Sequence, residues 1–428
     1  MSIIRPLLFI LQIFFVIIGA TLSVNTLAVA AGGVITLDEA IKLALQANPD
    51  IAVIQHAREV ESAATLQAAA RPNPTLSAQV EDLRSQYRNS TILISQPLET
   101  AGKRDTRMAA ADINLAMADA DILIAQAEID AKVYAAFYQV LAAQQALTLA
   151  QELLQISIQS KETTAKRVLA GKVSPVEETK AKVAEAGLKM QLATANQQLA
   201  SSKKRLAGLW GNVHSDNAAF TAAGELDNIN EIATLDELVT QLQNSPRLQK
   251  ARLAITQKQA LRDIEKAKQT PDVTVSLGAK RNEELGGINQ AVIGLSIPIP
   301  VFDRNQGNLQ GAQARQLQSE SEKIALENQL TKELTDAYSR RQLQIEAAHT
   351  YNSDILPGAQ SAYEAARKGF EFGKFSFLEV LDAQRTLFQA KTQFIQALAS
   401  AREAQADIQN ILGKPYHHKS ESFQKESP

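Results

Sequence analysis

From Lys103 to Ala170 the chain contains neither proline nor glycine, and apolar residues recur in steps of four and three: Ile113, Met117, Ala120, Ile124, Ala127, Ala131, Tyr134, Tyr138 and Leu141. This spacing predicts one continuous helix with a left-handed supercoil seam. At ~1.5 Å per residue such a helix reaches roughly 100 Å. A second seam, Leu115, Ile122, Ile129, Ala136 and Ala143, repeats every seven residues on another flank. An ordinary coiled coil needs one seam; two seams call for helical neighbours on both sides, as in a closed ring. Elsewhere the period drops to two. After Pro74, Leu76, Ala78 and Val80 alternate with Thr75, Ser77 and Gln79; after Pro271, Val273, Val275, Leu277 and Ala279 alternate with Thr274, Ser276 and Gly278. Each stretch is followed by a polar connection (Leu83 to Asn89, Lys280 to Gly287) and a second short strand, around Ser90–Ser95 and Asn289–Ile297. The alternation predicts two β-hairpins.

The pattern occurs twice. Thr36-Leu37-Asp38-Glu39 returns as Thr234-Leu235-Asp236-Glu237, and Pro49, Pro74 and Pro97 correspond to Pro246, Pro271 and Pro298. Gly171-Lys172-Val173-Ser174-Pro175-Val176-Glu177 reappears as Gly373-Lys374-Phe375-Ser376-Phe377-Leu378-Glu379. A repeat this long is a duplicated structural half, not a short solenoid unit. We therefore expect a first repeat over 31–230, with strands at 74–97 and a helical hairpin at 102–210. A second is expected over 231–413, with strands at 271–298 and a helical hairpin at 307–412. Within each, Thr36 with Glu39 and Thr234 with Glu237 form capping boxes. Gly171 and Gly373 end the long helices as left-handed residues. Ser174 and Ser376 begin the return helices, with Glu177 and Glu379 at capping-box spacing.

Strands of this length and alternation fit either a soluble hairpin packed on a helix or a transmembrane β-barrel. Four strands are too few for a barrel, which needs about eight, and open sheet edges do not face lipid. A spanning form must therefore oligomerise, and three copies supply 12 strands.

Composition narrows the choice. Residues 1–30 carry one cation, Arg5, then a run from Leu7 to Ala20 that is apolar apart from Gln12 and Gly19, then Ala28-Val29-Ala30, the pattern of a cleaved secretory signal, with a membrane anchor as the alternative that the run's length just permits. Removing them takes away one base and no acid, and the near-neutral balance of 44 Lys+Arg against 46 Asp+Glu gives no reason to expect nucleic acid. With 0 Cys there is neither a disulfide framework nor a thiol for a lipid anchor. The segment 414–428 is polar and expected to be disordered; it holds His417 and His418, to which the sequence assigns no role. Glu346-Ala347-Ala348-His349 is one E-x-x-H pair where a helical di-metal site needs two. No phosphate loop, dinucleotide fingerprint or nucleophile elbow is present, so no enzyme and no cofactor is expected.

Taken together, the two halves of helix, β-hairpin, long helix, tight turn and return helix resemble the TolC-like outer membrane efflux family over Thr36 to Leu412. The segment Ser296-Ile-Pro-Ile-Pro-Val-Phe-Asp-Arg-Asn-Gln-Gly-Asn308, with Gln96-Pro97-Leu98-Glu99 and Gly102-Lys103-Arg104, is similar to its heavy-metal branch, the cobalt-zinc-cadmium type. The resemblance implies a mostly α fold with a small β part: a homotrimer whose 12-stranded barrel in the outer membrane continues into an α-helical barrel across the periplasm. It also implies partners, namely outer membrane lipid, a periplasmic membrane-fusion adaptor and an inner-membrane resistance-nodulation-division pump, with heavy-metal cations as cargo. Ducts for multidrug efflux or type I secretion, or a periplasmic coiled-coil scaffold, are the alternatives. Carried onto this chain, the periplasmic tip and adaptor-docking positions are Gly171, Lys172, Ser174 and Glu177 in the first turn, and Gly373, Lys374, Ser376, Glu379 and Asp382 in the second. Glu177 and Glu379 are accounted for by capping or by a pore role. Asp382, where the first repeat has Lys180, is an aperture acid or a solvated one. Phe375 departs from the arginine latch of the family prototype.

Overall fold

The computed structural model describes residues 33–211, 220–229 and 231–414. The expected signal segment, nearly all of the polar tail and His417 and His418 lie outside these residues. The first half runs β1 (Val34–Ile35), α1 (Leu37–Ala47), α2 (Pro49–Ala68), β2 (Thr75–Glu81), β3 (Asn89–Leu98), α3 (Lys103–Leu169), α4 (Pro175–Gly208) and β4 (Thr221–Ala222). The second runs α5 (Leu235–Leu242), α6 (Pro246–Ala267), β5 (Val273–Asn282), β6 (Ile288–Ser296), α7 (Gln306–Thr350), a π-turn (Tyr351–Ile355), α8 (Leu356–Glu371) and α9 (Phe377–Leu412).

Local chemistry sets the helix starts. The Thr36 amide donates to Glu39 Oε2 at 2.9 Å while the Glu39 amide donates to Thr36 Oγ1 at 3.4 Å, and Thr234 with Glu237 repeats the arrangement. Asn48 and Ser245 cap α2 and α6, each followed by proline at the first helical position, where its missing N–H is no loss. The two long helices start after left-handed residues, Gly102 at φ 67° and Asn305 at φ 58°. Within the helical hairpin expected over 307–412, the first arm widens into the π-turn. Pro357 gives the reason: it has no N–H to donate, and its ring crowds the carbonyl four residues back.

In α3, Ala120, Ala127, Ala131, Tyr134 and Leu141 of the first seam and Ile129 of the second are buried, because α3 lies between other helices. Near the strands the layer order is α2, α3, α6, α7; away from them it is α4, α3, α9, α8. The short helices α1 and α5 lie on this layer at its middle. Ile41 and Ala44 of α1 join Val133, Phe137, Leu206 and Trp210, while Leu238 and Leu242 of α5 join Leu330, Leu334 and Ile408. Two elements fall outside the expectation: β1 and β4 pair in parallel, Val34 with Thr221 and Ile35 with Ala222, tying the segment before α1 to the segment between the repeats.

The four long strands form one antiparallel sheet in the order β2-β3-β5-β6. They run further than the alternation indicates: β3 reaches Leu98, and β5 includes Lys280 and Arg281. Register places Leu76, Ile94, Leu277 and Ile293 in one row and Ala78, Ile92, Ala279 and Ala291 in the next. One face is therefore apolar, and the other carries Ser77, Thr91, Ser276, Lys280 and Gln290. Among the described residues no helix is long and apolar enough to cross a membrane.

Candidate functional site

The end of the molecule opposite the sheet consists of two tight helical turns. At the first, Gly171 at φ 67° lets the Gly171 amide reach Val168 O and the Lys172 amide reach Arg167 O, both at 2.9 Å. The second repeats this double closure with Gly373 at φ 73°, whose amide donates to Phe370 O at 2.9 Å, and Lys374, whose amide donates to Gly369 O at 2.7 Å. These crossed bonds satisfy carbonyls that a helix end otherwise leaves open. Lys172 and Lys374 thus act in the turns through their backbones, and their side chains are exposed.

The return helices differ. At α9 the capping box forms, with Glu379 Oε2 accepting from the Ser376 amide at 2.6 Å and from Ser376 Oγ at 3.0 Å. At α4, Ser174 Oγ accepts from the Val176 amide at 3.3 Å, but Glu177 does not reach back. Its Oε2 is buried without a hydrogen-bond partner. The expected pair of equivalent capping boxes is therefore correct only for the second turn. Losing the box by Glu379→Ala should destabilise the start of α9 by ~1 kcal/mol, whereas Glu177→Ala should leave the start of α4 as stable or more so. Hydrogen exchange of the amides at 174–180 and 376–382 checks both.

What joins the turns comes from residues the sequence did not single out. Arg167, near the end of α3, donates to Phe370 O and lies 4.4 Å from the centroid of the Phe370 ring. Phe370 in turn meets Phe377 at 5.5 Å, and Phe377 is only 1% exposed, packed with Tyr363, Val380 and Leu387. The Phe375 ring lies over Gly369, where any added Cβ would come within 2.2 Å of it, so the residue in the latch position is a packing element of its own turn. These contacts cross between elements, which is why spacing along one helix gave no sign of them. Further up the hairpin, hydrogen bonds from Lys161 of α3 and Lys189 of α4, each 2.7 Å away, hold Glu185 below the ordinary glutamate value of 4.5. A depressed carboxylate stabilises above its unfolded value, so this brace is present at neutral pH and is lost as pH falls through the lowered value. Asp382 and Lys180 are both exposed on the corresponding turns of α9 and α4.

At the opposite end, the polar sheet face is knit by Ser95 Oγ and Ser276 Oγ at 2.8 Å and by Lys280 with Glu81 at 3.6 Å. Gly278 is required there: a Cβ would lie 1.9 Å from Ile92 O and 2.8 Å from the Leu93 side chain. Where the sheet turns into helix, the Thr100 amide and Lys103 Nζ both donate to Asp272 Oδ1, at 2.9 and 2.7 Å, locking the first half to the second.

A sheet with one apolar face and two free edges thus continues into a layer of long helices that ends in paired turns. The model of the family described as "outer membrane efflux protein" matches residues 40–212 and 238–414, one stretch in each half. The chain belongs to this family. As an outer membrane efflux protein it resides in the outer membrane and extends into the periplasm. The cobalt-zinc-cadmium resistance protein CzcC of Cupriavidus metallidurans is 39% identical over 90% of this chain and 91% of its own. The cation efflux system protein CusC of Escherichia coli is 27% identical over 65% of this chain and 62% of its own. The crystal structure of the outer membrane protein VceC from Vibrio cholerae superposes with a TM-score of 0.74 at 21% identity, covering 89% of this chain and 97% of that one. That likeness concerns the fold: mostly helical, with a small sheet at one end.

Proposed function

We propose that three copies close their four-stranded sheets into a 12-stranded barrel and form the outer membrane exit duct of a three-part efflux system for heavy-metal cations. The observation that carries this reading is the sheet itself. Both β2 and β6 have one unpaired edge, the outer face is apolar, and an open edge in lipid leaves backbone groups unmet at several kcal/mol each. Pairing β6 of one copy with β2 of the next satisfies every edge at once. The heavy-metal assignment rests on the 39% identity to a cobalt-zinc-cadmium resistance protein along nearly the whole chain.

The helical turns then face the periplasm. Gly171, Lys172 and Ser174 with Gly373, Lys374, Ser376 and Glu379 shape six loops at which a periplasmic membrane-fusion adaptor docks, and an inner-membrane resistance-nodulation-division pump supplies the energy. Asp382 of three copies lines the aperture, where a ring of carboxylates favours cations. Asp382→Asn should lower the preference for cations over anions several-fold in planar bilayers, while Lys180→Gln should change it little. For the duct as a whole, deleting the gene should sensitise the host to zinc, cobalt or cadmium and leave its tolerance of lipophilic drugs unchanged; the reverse pattern overturns the cargo assignment.

A further inference from the structure

The in-chain seam between the repeats shows how one copy meets the next. β3 pairs with β5, and the helices that flank this pairing, α3 leaving β3 and α6 entering β5, pack against each other. They run antiparallel and are joined by two polar contacts seven residues apart on each helix: Lys250 Nζ to Asp121 Oδ1 at 2.5 Å, and Gln257 Nε2 to Asn114 Oδ1 at 2.6 Å. The duplicated halves give each of these positions a counterpart. Counting from the prolines that open α2 and α6, Lys250 and Gln257 correspond to Val53 and Val60; counting from the left-handed caps of α3 and α7, Asn114 and Asp121 correspond to Leu317 and Ile324.

All four counterparts are large, apolar and exposed: Val53 and Val60 are each 66% exposed, Leu317 63% and Ile324 58%. α2 enters β2 and α7 leaves β6, the two free edges of the sheet. Edge pairing between copies therefore brings α7 of one copy against α2 of the next, just as β3–β5 pairing brings α3 against α6. We propose that a second copy of this chain covers this stripe, with Val53 against Ile324 and Val60 against Leu317 of the neighbour, in the register that Lys250–Asp121 and Gln257–Asn114 set within the chain. The inference rests on the assembly proposed above and adds its register. It also gives the two kinds of seam different chemistry at these positions, polar within a copy and apolar between copies, so that Leu317 and Ile324 of α7 find their apolar match on another copy's α2.

The chain has 0 Cys, which makes cysteine pairing a clean test. The paired variant Val60→Cys with Leu317→Cys, expressed in the full chain and oxidised in isolated outer membranes, should run as covalently linked trimer in denaturing gels. The shifted pair Val53→Cys with Leu317→Cys, displaced by two helical turns or ~10 Å, should link at least tenfold less, and each single variant should not link into trimers. A trimer that survives in unboiled samples while the matched pair fails to link overturns this register and leaves the assembly standing; lipid or another protein then covers the stripe. Absence of any trimer overturns the assembly and this inference with it.

Discussion

Leu277→Arg should strip the outer membrane of assembled protein. Leu277 sits in the middle of β5, flanked in register by Ile94 and Ile293 on the apolar face. A lone arginine at the midplane of a barrel's lipid face costs about 2–4 kcal/mol, and three copies carry it three times. The helical layer keeps its own cores, so the chain is expected to fold in the periplasm and fail at insertion. Fractionation and unboiled gels give the readout, with Ser77→Arg on the polar face of β2 as the matched control that should still assemble. Wild-type yield of Leu277→Arg in the outer membrane is incompatible with this face meeting lipid.

The second large effect belongs to Arg402 of α9, which is 3% exposed. Its guanidinium donates to Tyr134 Oη at 3.0 Å and to Leu226 O at 3.2 Å, also reaches Asn228 O, and lies 4.1 Å from the centroid of the Tyr138 ring. It thus fastens the segment between the repeats to two long helices. Arg402→Leu leaves buried carbonyls without donors, at about 1–3 kcal/mol each, so a loss of about 3 kcal/mol is expected. Arg402→Lys should recover only part of it, because an ammonium cannot span the same fork of acceptors. The measurements are the thermal midpoint and the rate of proteolysis within 220–231; unchanged cleavage contradicts the fastening role.

The sequence made legible what is local or periodic. Capping boxes at Thr36 and Thr234, prolines at the starts of α2 and α6, left-handed glycines at both turns and the two faces of each strand all follow from residues a few positions apart. The two seams of α3 were legible because packing on two sides leaves two apolar rows. What escaped depends on contacts between distant elements. Arg402 shows only as an arginine on an otherwise ordinary helix, and its partners lie more than 170 residues away. Arg167 and Phe370 join two turns that no spacing relates. The π-turn has a visible cause in Leu356-Pro357-Gly358, to which the hairpin expected over 307–412 gave no separate place. Glu177 and Glu379 share one sequence motif and differ in structure: identical spacing permits a capping box, and the surroundings of each turn decide whether it closes.

In the proposed assembly the open sheet of one copy is completed by two others. Native mass spectrometry of the protein extracted from outer membranes in mild detergent tests it most directly. A species of three chains that persists on dilution is expected, with no stable monomer or dimer; a predominant single chain retaining its sheet would contradict the assembly.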